Sequence, residues 1–261
     1  MFALNTKKKE TKSKHLDMAY PFKKVPHCVY KNTFLKDVRM AVAFPAVSPS
    51  SLKVEPLREF FQQFIGADIQ IEDFLRNGYI NIFSTDHFID LKFSLSYAEV
   101  KISAQKYTSF ELAKSYWQML YDFLAAIRID SVSKLVLRKF NALYFKAESQ
   151  SYDVQSVMDE VFCDELMALM ADVDKEGSLN SIEKTQTFED AKTNTLLTAV
   201  FGIKKSDTSE KNDHLTLVTT VESNQGSVPV GELPACAEQY NQILFDAFHW
   251  CVKDSIIQNM K

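Results

Sequence analysis

The stretch VLRKFNALYF, residues 136–145, decides how this chain is read. Taken with period two, one face carries Leu137, Lys139, Asn141, Leu143 and Phe145, and the other carries Val136, Arg138, Phe140, Ala142 and Tyr144. Its aliphatic and aromatic residues predict a strand, yet each face sets a polar group among large apolar ones. Such a strand is either part of a binding site or a structural element whose polar groups are satisfied locally. Arg138 and Asn141 are three positions apart, so they face opposite sides of a regular strand. One ligand can use both only if a bulge intervenes.

The segments around this strand fall into two similar orders. Before it, DVRMAVAF places Val38, Met40, Val42 and Phe44 on one side and stops at Pro45, which predicts a first strand. A helix is expected from Pro56 through Leu57, Phe60, Phe61, Phe64 and Ile65 to Gly66. YINIF and IDLKFSLSYAEVKI read as two strands; in the second the apolar parity changes, which predicts a bulge near Glu99. Thr108 with Glu111 fits a capping box, and Phe110, Ala113, Trp117, Leu120, Leu124 and Ile127 then trace one helical stripe.

After the strand, a helix is expected from Val154 to about Asp172, broken by DKEGSLN. SIEKTQTF, NTLLTAVFGI and HLTLVTTVE read as strands, the last two joined by the charged loop SDTSEKND. Pro234 opens a C-terminal helix that turns Tyr240, Leu244, Ala247, Phe248 and Cys251 inward. The expected fold is α+β, built from pseudo-duplicated strand-helix-strand-strand-helix units over about 34–130 and 132–259. Its sheet is mainly antiparallel, with helices packed on one face. No Pro/Gly linker separates the halves, so residues 20–261 are expected to form one domain behind a disordered basic tail, residues 1–19.

Composition narrows the chemistry. The chain has 261 residues, 46% of them hydrophobic and 25% charged, which suits a globular body with its own core. Four cysteines without a CxxC pair suit reduced thiols in the cytoplasm. No segment reads as a secretory signal or a membrane span, so no membrane association is expected. The tail sets Lys7, Lys8, Lys9, Lys12 and Lys14 against Glu10, leaving the body more acidic than the overall charge of −4. Nucleic acid is therefore expected to bind only through the tail, if at all.

Only six glycines occur, with no GxGxxG, GxxxxGK[ST] or GxSxG, which disfavours phosphate-binding loops and a serine-hydrolase elbow. His249 and Cys251 point apart on a helix, His27 and Cys28 are adjacent in an irregular segment, and Cys163 lies in an apolar helix. Asp159, Glu160, Asp164 and Glu165 fit a solvated helix face, while Glu72, Asp73, Asp86 and His87 sit at turn edges. No catalytic residue, metal site or cofactor is assigned.

KYTSFELAKSYWQMLYDFL, LRKFN, HLTLVTTVE and LFDAFHWCVKDSI together resemble a sporadically distributed, uncharacterised bacterial protein family of about this length. Tyr107, Trp117, Arg138, Asn141 and His249 match or nearly match that family's pattern, and they are the candidate binding residues. The chain departs at Lys139, where an aromatic is expected, at Phe248, and at Thr219 and Thr220, where an aspartate is expected. The resemblance implies an accessory role in mobile or defence-associated gene neighbourhoods and brings no known activity.

Two functions are carried forward. The first is a non-catalytic component that binds a protein partner, for example in a bacterial defence or toxin-neutralising system, with a homo-oligomer also open. Its motive is the abundance of 20 Phe and 10 Tyr, some of which would line a groove. The alternative is a ligand sensor or enzyme whose site assembles around Arg138 and Asn141.

Overall fold

Residues 134–145 form one of the two central strands of the main sheet. The computed structural model describes residues 20–31, 33–51, 53–65, 69–74, 78–84, 88–107, 109–145, 154–168, 181–204 and 213–261. The basic tail, Asp86 and His87, Thr108, most of the SDTSEKND loop and the DKEGSLN break lie outside them.

In chain order the elements are β1 (Leu35–Ala43), α1 (Val54–Ile65), β2 (Ile69–Phe74), β3 (Tyr79–Ser84), β4 (Ile89–Ser94), β5 (Tyr97–Ser103) and α2 (Phe110–Ala126). There follow β6 (Ser131–Val132), β7 (Lys134–Phe145), α3 (Val154–Val161), α4 (Asp164–Ala168), β8 (Ser181–Asp190), β9 (Thr195–Lys204) and β10 (Asp213–Ser223). The chain closes with β11 (Val228–Pro229), α5 (Leu233–Cys251) and α6 (Asp254–Met260). Strands β6 and β11 pair only with each other.

The other nine strands form one sheet in the order β2-β3-β4-β5-β1-β7-β10-β9-β8, and every neighbouring pair is antiparallel. The protein is thus α+β, and the opening stretch belongs to the middle of the sheet. From the central β1–β7 pair, β5, β4, β3 and β2 extend to one side and β10, β9 and β8 to the other. In each direction a strand is followed by helix, hairpin strands and helix, with four strands in the first hairpin set and three in the second.

The alternating burial of β3, β4 and β5 shows why these residues make a one-sided sheet: every second residue is buried and those between are half-exposed. Val38, Met40, Val42 and Phe44 are buried as their alternation predicts. Helices cover that face. On α2 the stripe Ala113, Trp117, Leu120 and Leu124 is inside, and Ser109 caps the helix by accepting a hydrogen bond from Leu112 N at 3.2 Å. No described helix is long and apolar enough to cross a membrane.

Several local expectations are corrected. IDLKFSLSYAEVKI is a hairpin, β4 and β5 turning at Leu95–Ser96, with Ser94 opposite Tyr97 and no bulge at Glu99. The parity change is the reversal of the chain. The observed bulge lies in β1 at Lys36, because Leu35 pairs with Asn141 while Asp37 pairs with Phe140. The single helix expected from Val154 breaks at Phe162–Cys163. There the backbone pairs with the end of α5: Cys163 N donates to Cys251 O at 2.9 Å, and Lys253 N donates to Val161 O at 2.8 Å.

The apolar interior comes in two parts. One gathers Leu135 and Leu137 of β7, Val221 of β10, the inward residues of β1 and β3–β5, and the stripe of α2. The other gathers Leu215 and Leu217 of β10, Phe201 of β9, Met158 and Leu166 of α3 and α4, and Phe248 and Cys251 of α5. Polar side chains lie between them.

Candidate functional site

Along the helix-facing side of β7, Leu135 and Leu137 are followed by Lys139 and Asn141. On β10, Thr219 separates Val221 from Leu217, and the ladder places Thr219 directly opposite Lys139. Side chains opposite one another on one sheet face are about 5 Å apart at Cβ, so these polar groups are neighbours. From the helix layer Asn241 of α5 reaches down, and its Oδ1 accepts a hydrogen bond from Lys139 Nζ at 2.7 Å. Asn141, Thr219 and Asn241 are all buried, Thr219 completely. A polar belt therefore occupies positions that the pattern of the sheet reserves for core.

Its groups are only partly satisfied. Asn141 Nδ2 donates to Leu217 O at 3.3 Å. Thr219 Oγ1 is enclosed without a hydrogen-bond partner among the described residues. The Lys139 ammonium has three donors, and Asn241 takes one; no acidic side chain among the described residues pairs with it. Removal from water pushes its pKa down to about 8. A half-buried cation, an orphaned hydroxyl and side-chain amides make a cluster richer in donors than in acceptors.

The belt floors a cavity of about 1200 Å³. One wall is apolar, from Phe110, Ile243, Leu244 and Phe245, and Tyr107 lines it beside the start of α2. The rim includes Val29, 79% exposed, and Lys114, which is held by Glu111 at 2.9 Å and by Glu238. The remaining side comes from the irregular segment 20–31, tied to α5: Val25 N donates to Asp246 Oδ1 at 2.8 Å, and Gln242 Nε2 donates to Val25 O at 3.0 Å. This places His27 against Phe245, with ring centroids 4.4 Å apart, and 3.5 Å from Asn241 Nδ2. Burial and the nearby Lys139 charge lower the His27 pKa against the opposing effect of Asp246.

The five sequence candidates separate. Tyr107 and Asn141 both line the cavity. His249 stands beside it, hydrogen-bonded to Tyr30 and packed against Phe245, with ring centroids 4.7 Å apart. Trp117 is 1% exposed in the core, edge-on to Phe110. Arg138 is on the opposite face of the sheet, aligned with Arg39 of β1 and Thr220 of β10. The β7–β10 ladder runs unbroken from Val136–Glu222 to Phe145–Asp213, so no bulge turns Arg138 toward Asn141.

Arg39 pairs with Asp37 at 3.0 Å and Glu99 at 3.8 Å, whereas Arg138 has no ion pair among the described residues and its Nε is enclosed without a partner. The cavity floor therefore carries Lys139, while Arg138 lies on the other face of the sheet. Sequence reasoning did not assign Lys139, Thr219 or Asn241 to a site, although Lys139 and Thr219 had already stood out as departures from the resemblance. Those two departures are cross-strand partners in the cavity floor. Among the described residues no group of three or more His, Cys, Asp or Glu side chains is placed to hold a metal ion.

The geometry defines an α+β protein with a half-polar, open cavity between sheet and helices. No protein-family model matches the chain, and no curated protein matches it.

Proposed function

We propose that this chain is a non-catalytic ligand-binding protein, a sensor whose ligand occupies the cavity over Lys139 and Asn141. The observation that supports this most is the polar belt, which interrupts an otherwise apolar core with groups that the fold itself does not satisfy. Buried polar groups are normally paired, and each unpaired one costs about 1–3 kcal/mol. A cavity beside them, apolar on one wall and polar on its floor, has the make-up of small-molecule sites. In the defence-associated setting that the resemblance implies, the ligand would be the signal the chain reads.

The protein-partner reading rests on an exposed apolar groove. Among the described residues the large hydrophobics more than a third exposed are Val29, Leu95 and Leu112, which do not form such a groove around the aromatics. Phe61, Phe93, Phe162 and Phe201 are in the core instead. The ligand reading is therefore preferred. A fragment screen read by amide chemical shifts tests it: binders are expected to move the resonances of Lys139, Thr219 and Asn241 together. A screen whose binders all map elsewhere, or that finds none, would count against the reading.

A further inference from the structure

Resting on the reading of the cavity as a ligand site, we infer that its ligand carries a single carboxylate, set against Lys139 on the cavity floor, on an apolar or aromatic body that lies along Phe110, Ile243, Leu244 and Phe245. Charge is the first argument. Lys139 is half-buried in the cavity floor, its ammonium has only an amide oxygen at 2.7 Å as partner among the described residues, and a partly desolvated charge without a counter-charge favours gaining one. None comes from the described residues: the acidic groups on the cavity wall, Glu111 and Glu238, are engaged with Lys114 at the rim.

Hydrogen bonding is the second argument. Thr219 is completely buried, and its hydroxyl has no partner among the described residues. Opposite it across the ladder, Lys139 has donors to spare. The spare Lys139 donors are the ones a ligand in the cavity can use, and hydrogen bonds to a charged acceptor are shorter and stronger than neutral ones.

The count of charges separates the anion classes. Of the three lysines that line the cavity, Lys24 is exposed at its edge and Lys114 is engaged by Glu111 and Glu238, which leaves Lys139 on the floor to balance a monoanion. A phosphate monoester, near two negative charges at neutral pH, would leave charge uncompensated in the same place. Carbon and aromatic rings make up the wall of Phe110, Ile243, Leu244 and Phe245, so the part of the ligand that lies along it is apolar.

Calorimetric titration of the full chain with a series of aryl-alkyl carboxylates, their matched primary amides and the corresponding phosphate monoesters tests this. The best carboxylate is expected to bind at least about tenfold more tightly than its amide, and that preference is expected to vanish in Lys139→Met, as it does for loss of a charge-assisted contact. Lys139→Arg, which keeps the charge, is expected to retain part of the preference. Equal affinity for acid and amide, with shifts at Lys139 and Thr219, would overturn the carboxylate inference while leaving the cavity a ligand site. Tighter binding of the phosphate esters would overturn the choice of anion. Binding of no member of the series at the cavity would overturn both the inference and the reading under it.

Discussion

Lys139 and Thr219 are core positions occupied by residues that a core does not favour. Thr219 shows this most simply, since its hydroxyl is enclosed and unpaired. Replacing it by valine removes the orphaned group at nearly constant volume. Thr219→Val is therefore expected to raise unfolding free energy by about 1 kcal/mol, read from urea denaturation; a loss of that size would mean the hydroxyl has a partner in solution. Arg138 illustrates the other half of the residue-scale lesson. Period two alone separated it from Asn141, and the unbroken ladder keeps them apart. Which of the two faces is covered by helices, and hence which polar residue is enclosed, is not written in the strand.

At the scale of elements, most of what was legible came from long stretches with strong periodicity. The apolar stripe of α2 is inside as its spacing predicts. Trp117 fills that stripe at 1% exposure, so Trp117→Ala is expected to cost about 3–5 kcal/mol. Thermal or urea unfolding checks it, and a cost below about 1 kcal/mol would contradict its place in the core. The β4–β5 hairpin was not legible. No Gly, Pro or Asn marks Leu95–Ser96, and the alternation of apolar residues runs through the turn with a change of phase that a bulge would also give. The break between α3 and α4 was hidden for a different reason. The apolar pattern is continuous, and it is hydrogen bonding to the distant end of α5 that pulls Phe162 and Cys163 out of the helix.

For the whole molecule, element order and one-sided packing gave the α+β class, but the order of strands in the sheet depends on long-range pairing that no local pattern encodes. The site depends on that order. Only because β10 joins β7 does Thr219 meet Lys139, and only because α5 crosses them does Asn241 reach the same ammonium. Of the site residues, Asn141 and Tyr107 were found by resemblance, whereas Asn241 carries no signal in its helix beyond lying next to the inward stripe. The two apolar clusters on either side of the belt provide the packing; the belt interrupts them.

That division sets the most direct test. Burial lowers Lys139 to about 8 from the ordinary 10.5, so below that pH the fold holds a half-buried ammonium at a cost. As pH rises from about 8 toward 10.5 the folded protein releases this proton while the unfolded chain still holds it, and stability rises through that window. Urea unfolding of Lys139→Met beside the unmodified protein measures the cost. The variant is predicted to be more stable at pH 7 by about 1–3 kcal/mol, with the advantage shrinking above pH 8. A variant less stable than the parent at pH 7 would show that Lys139 serves the fold, and would contradict a belt kept for a ligand.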